Sequence, residues 1–222
     1  MSVAGDLGPV WASGKLAQVR WIKERPLAWR VRLDNQASRR DATRAVLSPD
    51  EVAAFARAGD APWRVTRRLL AKALIAHVAQ CHPDTVRIER DRSGALRVAS
   101  PAGWYLSLAG QPPHALIGLH RSPIGVDIEP SNAAPAPADA FSAEEWAMLD
   151  ALWPDNVAHA RLIGWVAKEA HAKACGRARQ LDPREIGLCN LAGSLEATSG
   201  GARTRIHLAI ETGTGTVAAV AI

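Results

Sequence analysis

Two stretches of the chain repeat one another closely enough to constrain the fold. Leu47-Ser48-Pro49-Asp50-Glu51-Val52 and Phe141-Ser142-Ala143-Glu144-Glu145-Trp146 each place a serine three residues ahead of a glutamate. That spacing is a capping box: the serine hydroxyl accepts the third backbone N–H of a helix, and the glutamate accepts the N–H of the serine. Pro49 strengthens the first copy, because an opening helical position has no use for an N–H. Each box is followed by a second helical stretch, Trp63-Arg-Val-Thr-Arg-Arg-Leu-Leu-Ala-Lys72 in one half and Trp165-Val-Ala-Lys-Glu-Ala-His-Ala-Lys173 in the other. Alternation predicts a strand over residues 27–33 ahead of the first box, a helix ending at Gly59-Asp60, and a second helix from Pro62 to about residue 80. Short strands follow at 85–89, 96–99, 104–108 and 114–119, around a turn at Asp91-Arg92-Ser93-Gly94. The second half predicts a strand at 124–129, a helix from Ser142, a long helix over about 156–175, and strands at 185–189, 204–210 and 216–221. The fold expected is therefore α+β, two similar α+β lobes related by pseudo-twofold symmetry. The N-terminal lobe is placed at residues 1–120 and the C-terminal lobe at 121–222. A groove between them is the natural place for a ligand.

Composition narrows what such a protein can do. No apolar run approaches the ~18–20 residues of a membrane span. Residues Met1 to Asp6 have neither a basic nor an apolar leader segment, so no secretory signal is expected. Three scattered cysteines, Cys81, Cys175 and Cys189, suit a reducing compartment better than a disulfide framework, and the cytoplasm is the expected location. The net charge of +5 suits a polyanionic partner: nucleic acid, a phosphorylated cofactor or an acidic protein. Arg39-Arg40 and Arg64 with Arg67-Arg68 are too short for a nucleic-acid tail, and one Tyr and two Phe leave little to stack bases. The turn-rich first twenty residues are expected to be loosely held. His77, His82, His159 and His171 show no ligand spacing and read as surface or capping residues. Trp146, Trp153 and Trp165 read as core.

The acidic residues concentrate in the second half. In Ile124-Gly125-Val126-Asp127-Ile128-Glu129-Pro130, Asp127 and Glu129 lie two apart on a strand and so share a face. Adjacent carboxylates repel, which a cation between them would relieve, although a solvated edge strand shows the same pattern. On the long helix, Trp165, Glu169 and Lys173 recur at four-residue spacing and form one stripe. The chain has five lysines against twenty-two arginines, and two of the five, Lys168 and Lys173, lie here. A Glu/Lys pair at this spacing is common on solvated helices. Beside Asp127 and Glu129, however, Glu169 would complete an all-oxygen site of the kind that favours Mg²⁺.

Taken in order, Ile-Gly-Val-Asp-Ile-Glu, Phe-Ser-x-x-Glu and Trp-x-x-Lys-Glu-Ala-x-x-Lys resemble the motifs of the 4′-phosphopantetheinyl transferase superfamily. The likeness is to its two-lobed, single-chain members, which activate peptide and polyketide synthases, and it runs from about Leu47 to the C-terminus. It implies a 4′-phosphopantetheinyl transferase-like fold, with the nucleotide of coenzyme A on the side of the first lobe. It also implies transfer of phosphopantetheine from coenzyme A to a serine of an apo carrier protein, releasing 3′,5′-ADP. Asp127, Glu129 and Glu169 would hold Mg²⁺, and Lys168 would contact the phosphates. Glu169 would help to deprotonate the serine, and Lys173 would stabilise the leaving phosphate. Arg64 and Ser107 match positions that contact coenzyme A. The implied partner is an acidic carrier protein, with no role for nucleic acid or membrane, and a two-lobed chain would act as a monomer.

Some positions depart from the family pattern. Its Gly-Lys-Pro after the hairpin turn is Gly94-Ala95-Leu96 here, and its Ser-His-Ser is Ser107-Leu108-Ala109. No cation stands between Val52 and Phe55. These losses predict weaker dependence on the 3′-phosphate of coenzyme A, with Arg68, Arg92 or Arg97 the candidate replacements. An alternative is a divergent paralogue that binds coenzyme A or carrier protein with little transfer. A basic nucleic-acid-binding protein is a third reading, which no motif favours.

Overall fold

The computed structural model describes residues 8–58, 62–154 and 156–222. The expectations for Met1–Asp6 and for the helix stop at Gly59-Asp60 fall outside these residues. The first half contains β1 (Val10–Ser13), β2 (Leu27–Arg32), α1 (Gln36–Ala42), α2 (Pro49–Ala58), α3 (Pro62–Ala79), β3 (Arg87–Arg90), β4 (Leu96–Ser100), β5 (Trp104–Ala109) and β6 (His114–His120). The second contains β7 (Gly125–Pro130), α4 (Ala143–Leu152), α5 (Val157–Ala174), β8 (Gly187–Leu191), β9 (Ser194–Ser199), β10 (Ala202–Glu211) and β11 (Thr216–Ala221). The chain is thus mixed α+β with two sheets, ordered β1-β2-β6-β5-β4-β3 and β7-β11-β10-β9-β8. Within the described residues every pairing is antiparallel except that of β1 with β2.

The alternation of side chains along the strands sets three packed layers of core. On β2 and β6, Leu27, Trp29, Ile117 and Leu119 face α3, packing with its Leu70, Leu74 and Ile75. On β11, Val217, Ala219 and Ala221 face α5, against Ile163, Val166 and Ala170. The opposite faces meet between the sheets, where Ala28, Ala109 and Leu116 pack on Val126, Ile128, Ala218 and Val220. A period of two therefore sends neighbouring residues of β7 to different layers: Val126 and Ile128 enter the junction, and Asp127 and Glu129 turn towards α5.

Both capping boxes form. Ser48 Oγ accepts from Glu51 N at 3.3 Å and Glu51 Oε2 from Ser48 N at 2.8 Å. Ser142 and Glu145 repeat this at 3.2 and 2.8 Å. Each box glutamate then holds a buried lysine of the following long helix: Lys72 donates to Glu51 at 3.0 Å, and Lys168 to Glu145 at 2.8 Å. Lys72 and Lys168 thus make the same kind of contact in the two halves of the chain. Three elements differ from expectation. β1 lies in the stretch expected to be loosely held, α1 in one for which no element is expected, and β9 fills the gap before the strand expected at 204–210. β1 is a short half-buried edge strand, and α1, capped by Asn35, is mostly polar and gives only Ala42 to the core, so neither carries a hydrophobic period.

Candidate active site

The glycine of Ile-Gly-Val-Asp brings β7 against α5. A Cβ on Gly125 would lie 1.8 Å from Ala170 O and 2.4 Å from Ala174 N, so only glycine lets the strand reach the helix backbone. That contact sets Asp127 beside the last turn of α5. Lys173 Nζ donates to Asp127 Oδ1 at 2.6 Å and lies 3.9 Å from Glu169 Oε2. The ammonium also sits at the helix C-terminus, where the helix dipole favours positive charge. Glu169 does not point into solvent: its side chain is 28% exposed.

Burial and like charge dominate the electrostatics. Glu129 is pushed up to about 7, first by burial and then by the charge of Asp127. Burial also raises Glu169, an effect that Lys173 opposes. Asp127 Oδ2 and Glu129 Oε2 are buried and have no hydrogen-bond partner among the described residues. Unpaired oxygens beside a carboxylate raised by its neighbours' charge form a donor set that fits a hard cation such as Mg²⁺. The expected convergence on a single point is not found, however. Among the described residues, no group of three or more His, Cys, Asp or Glu side chains is drawn together closely enough to hold a metal ion. The ammonium of Lys173 stands between Asp127 and Glu169.

Lys168 requires a correction. Its side chain is only 1% exposed, and its three N–H groups go to Ala140 O at 2.7 Å, Glu145 Oε2 at 2.8 Å and Pro183 O at 3.1 Å. An ammonium has three donors, so none remains for a phosphate. Five residues separate Lys168 from Lys173, which turns the two to different faces of α5. Lys168 ties α5 to Glu145 of α4 and to the backbone at Ala140 and Pro183, and it does not line the cavity. His171, read as a surface or capping residue, is likewise buried. It is hydrogen-bonded to Thr204 Oγ1 at 2.8 Å and Ser199 Oγ at 2.7 Å, and burial lowers its pKa. The tryptophans behave as expected: Trp146, Trp153 and Trp165 pack on the second core.

A cavity of about 430 Å³ opens at Lys173, the partner of Asp127. The β3–β4 hairpin, β5, Ile124 and the chain from Lys173 to Arg179 form its walls. Ser107 lines it and also accepts from Val126 N at 3.0 Å, tying β5 to β7. Arg64 is not among its wall residues and lies over the Trp63 ring at 5.3 Å. Of the replacement cations expected from sequence, Arg97 lines the cavity and Arg92 does not. Arg68 is buried, donating to Ile88 O at 3.5 Å and lying 3.5 Å from Glu51. One site residue escaped sequence reasoning. Gln111, in the turn between β5 and β6, sets its side chain near Glu129 and offsets a small part of the rise. A lone glutamine beside prolines carries no signal of its own.

The arrangement combines a carboxylate cluster, a bridging ammonium and a basic cavity, which together can hold a phosphorylated ligand and accept a proton. Residues 123–221 match a family model described as the 4′-phosphopantetheinyl transferase superfamily. The match takes in Asp127, Glu129, Glu169 and Lys173. No curated protein matches the chain.

Proposed function

Residues 123–221 belong to the 4′-phosphopantetheinyl transferase superfamily, and we propose that the chain transfers the 4′-phosphopantetheine group from coenzyme A to a serine of an apo carrier protein. The observation that carries this reading is the placing of Asp127, Glu129, Glu169 and Lys173 around the β7–α5 contact, beside a cavity with basic walls. The first lobe, residues 1–120, supplies the nucleotide side of that cavity. Residues 121–222 supply the carboxylates and the catalytic ammonium, and the repeated Glu–Lys pairs support a pseudo-twofold relation between the two.

Asp127, Glu129 and Glu169 are the residues that would hold Mg²⁺, which when bound supplies positive charge to a diphosphate. The chain's own groups account for the rest. Glu169 accepts the proton of the carrier serine, whose oxygen attacks the phosphorus bearing pantetheine. The bond between that phosphorus and the bridging oxygen breaks, and 3′,5′-ADP leaves. Lys173, held in place by Asp127, sets its ammonium against the charge that develops on the departing oxygen. Phosphoryl transfer depends mainly on this kind of positioning and charge neutralisation. The basic chain suits an acidic carrier protein, through steering of the encounter.

The test is to incubate the protein with coenzyme A, Mg²⁺ and an apo carrier protein and weigh the carrier. A mass gain of one phosphopantetheine is expected from the wild type, and none from a folded Asp127→Ala variant. A folded wild type that binds coenzyme A yet leaves every carrier tested unmodified would instead favour the non-transferring paralogue, the reading motivated by Ala95 and Leu108.

A further inference from the structure

The cavity walls contain five cations, Arg67, Arg90, Arg97, Lys173 and Arg179, and no Asp or Glu. Leu96, Leu108 and Ile124 give the same walls an apolar part. A space of about 430 Å³ with this lining fits a ligand that joins anionic groups to a flat or apolar body.

Four of the cations are already engaged by the protein. Arg67 donates to Gly110 O at 3.3 Å, and Arg90 to Gly94 O at 2.8 Å. Arg97 pairs with Asp91 at 2.9 Å and Lys173 with Asp127 at 2.6 Å. Arg179 differs from these, since no hydrogen bond or ion pair joins its side chain to a described residue. It is nonetheless placed. A Cβ on Gly94 would lie 3.1 Å from Arg179 Cδ and 3.4 Å from its Nε, so the side chain rests on the hairpin turn across the cavity. Gly94, at a φ of +86°, leaves the space in which it lies. Ala95, the neighbouring residue, is where the family's hairpin carries a lysine.

We propose that Arg179 is the residue that recognises the ribose 3′-phosphate of coenzyme A, reaching over from the second lobe to supply the charge missing at Ala95. This rests on coenzyme A being the ligand. Lys173, fixed beside Asp127, meets one anionic group, and Arg179, at the hairpin, meets a second. Its guanidinium can bind a phosphate through two parallel N–H bonds. Dependence on the 3′-phosphate is therefore retained, in contrast to the weakening that the losses at Ala95 and Leu108 predict.

Calorimetric titration of wild type, Arg179→Gln and Arg179→Lys with coenzyme A and with 3′-dephospho-coenzyme A tests this, alongside kcat with an apo carrier protein. Arg179 is exposed, and circular dichroism checks that the variants fold. Wild type should prefer coenzyme A. Arg179→Gln should lose about tenfold in affinity for it, or about 1.4 kcal/mol, and bind both ligands alike. Arg179→Lys should recover part of the preference, and dephospho-coenzyme A should bind wild type and both variants alike. Equal binding of the two ligands by wild type, or equal losses for both in Arg179→Gln, would overturn the inference. Binding with the expected preference but without transfer would remove the transferase reading alone. No binding of coenzyme A by wild type would remove both.

Discussion

Gly125 is the residue on which the site's geometry turns. Substituting alanine would set a methyl group 1.8 Å from Ala170 O, and backbone on both sides leaves no side chain that could swing away. Gly125→Ala should destabilise by about 3 kcal/mol or more in urea unfolding, since β7 must withdraw from α5. A loss under about 1 kcal/mol would show that the strand can shift without unfolding. The glycine was visible in the sequence as part of a motif, but the contact that requires it was not, because Ala170 lies 45 residues away. Lys168 shows the opposite failure. Its place in the family motif implied a contact with the phosphates, although the 3.6-residue period already turns adjacent helical residues about 100° apart. What the sequence withheld was the depth of the pocket made by Ala140, Glu145 and Pro183 that takes up its ammonium.

At the scale of the element, the recurring unit is a capped short helix whose box glutamate holds a lysine of the next helix. In the second half Glu145 also accepts from Leu188 N at 2.7 Å, so one carboxylate joins α4, α5 and β8. Lys168→Met should cost about 3–5 kcal/mol, because it leaves the charge of Glu145 buried and unpaired. Combining it with Glu145→Gln should cost less than the sum of the two, with a coupling of about 0.5–3 kcal/mol in a double-mutant cycle. Additive losses would mean that the two groups act independently. The serine–glutamate boxes and the two long helices were legible because a cap and a sustained period are local signals. α1 and β1 were not, since a short polar helix and a four-residue edge strand take their stability from neighbours distant in sequence.

The whole molecule depends on the seam between the sheets, where the small apolar residues of β2, β6, β7 and β11 meet and where Arg30 of β2 pairs with Glu211 of β10. Sequence reading could not place that seam, because alanine and valine on a strand look the same whichever layer they face. His114, opposite Arg32 on β2, lies close to it, and burial, followed by the charges of Arg32 and Arg30, holds its imidazole below the usual range. Burial lowers His120 too. Both histidines bind protons less readily folded than unfolded, so their contribution is intact above about pH 6.5 and is lost as the pH falls through their folded values. Glu129, raised to about 7, acts in the opposite sense. Glu169 is raised as well, so Glu129→Gln combined with Glu169→Gln removes that opposition, and in this background stability to urea should fall between pH 7.5 and 5.5, with buried His171 adding to the fall. Adding His114→Gln should flatten the slope, whereas an unchanged slope would absolve His114.

The burial of Lys72 and Lys168 has a consequence for chemical labelling. Of five lysine side-chain amines, two are buried, and Lys15 and Lys23 stand exposed near the start of the chain. That leaves Lys173 as the one partly accessible lysine amine beyond residue 23. An acylating reagent applied to the folded protein would thus report on the cavity through a single peptide, and a ligand lying against that amine would protect it.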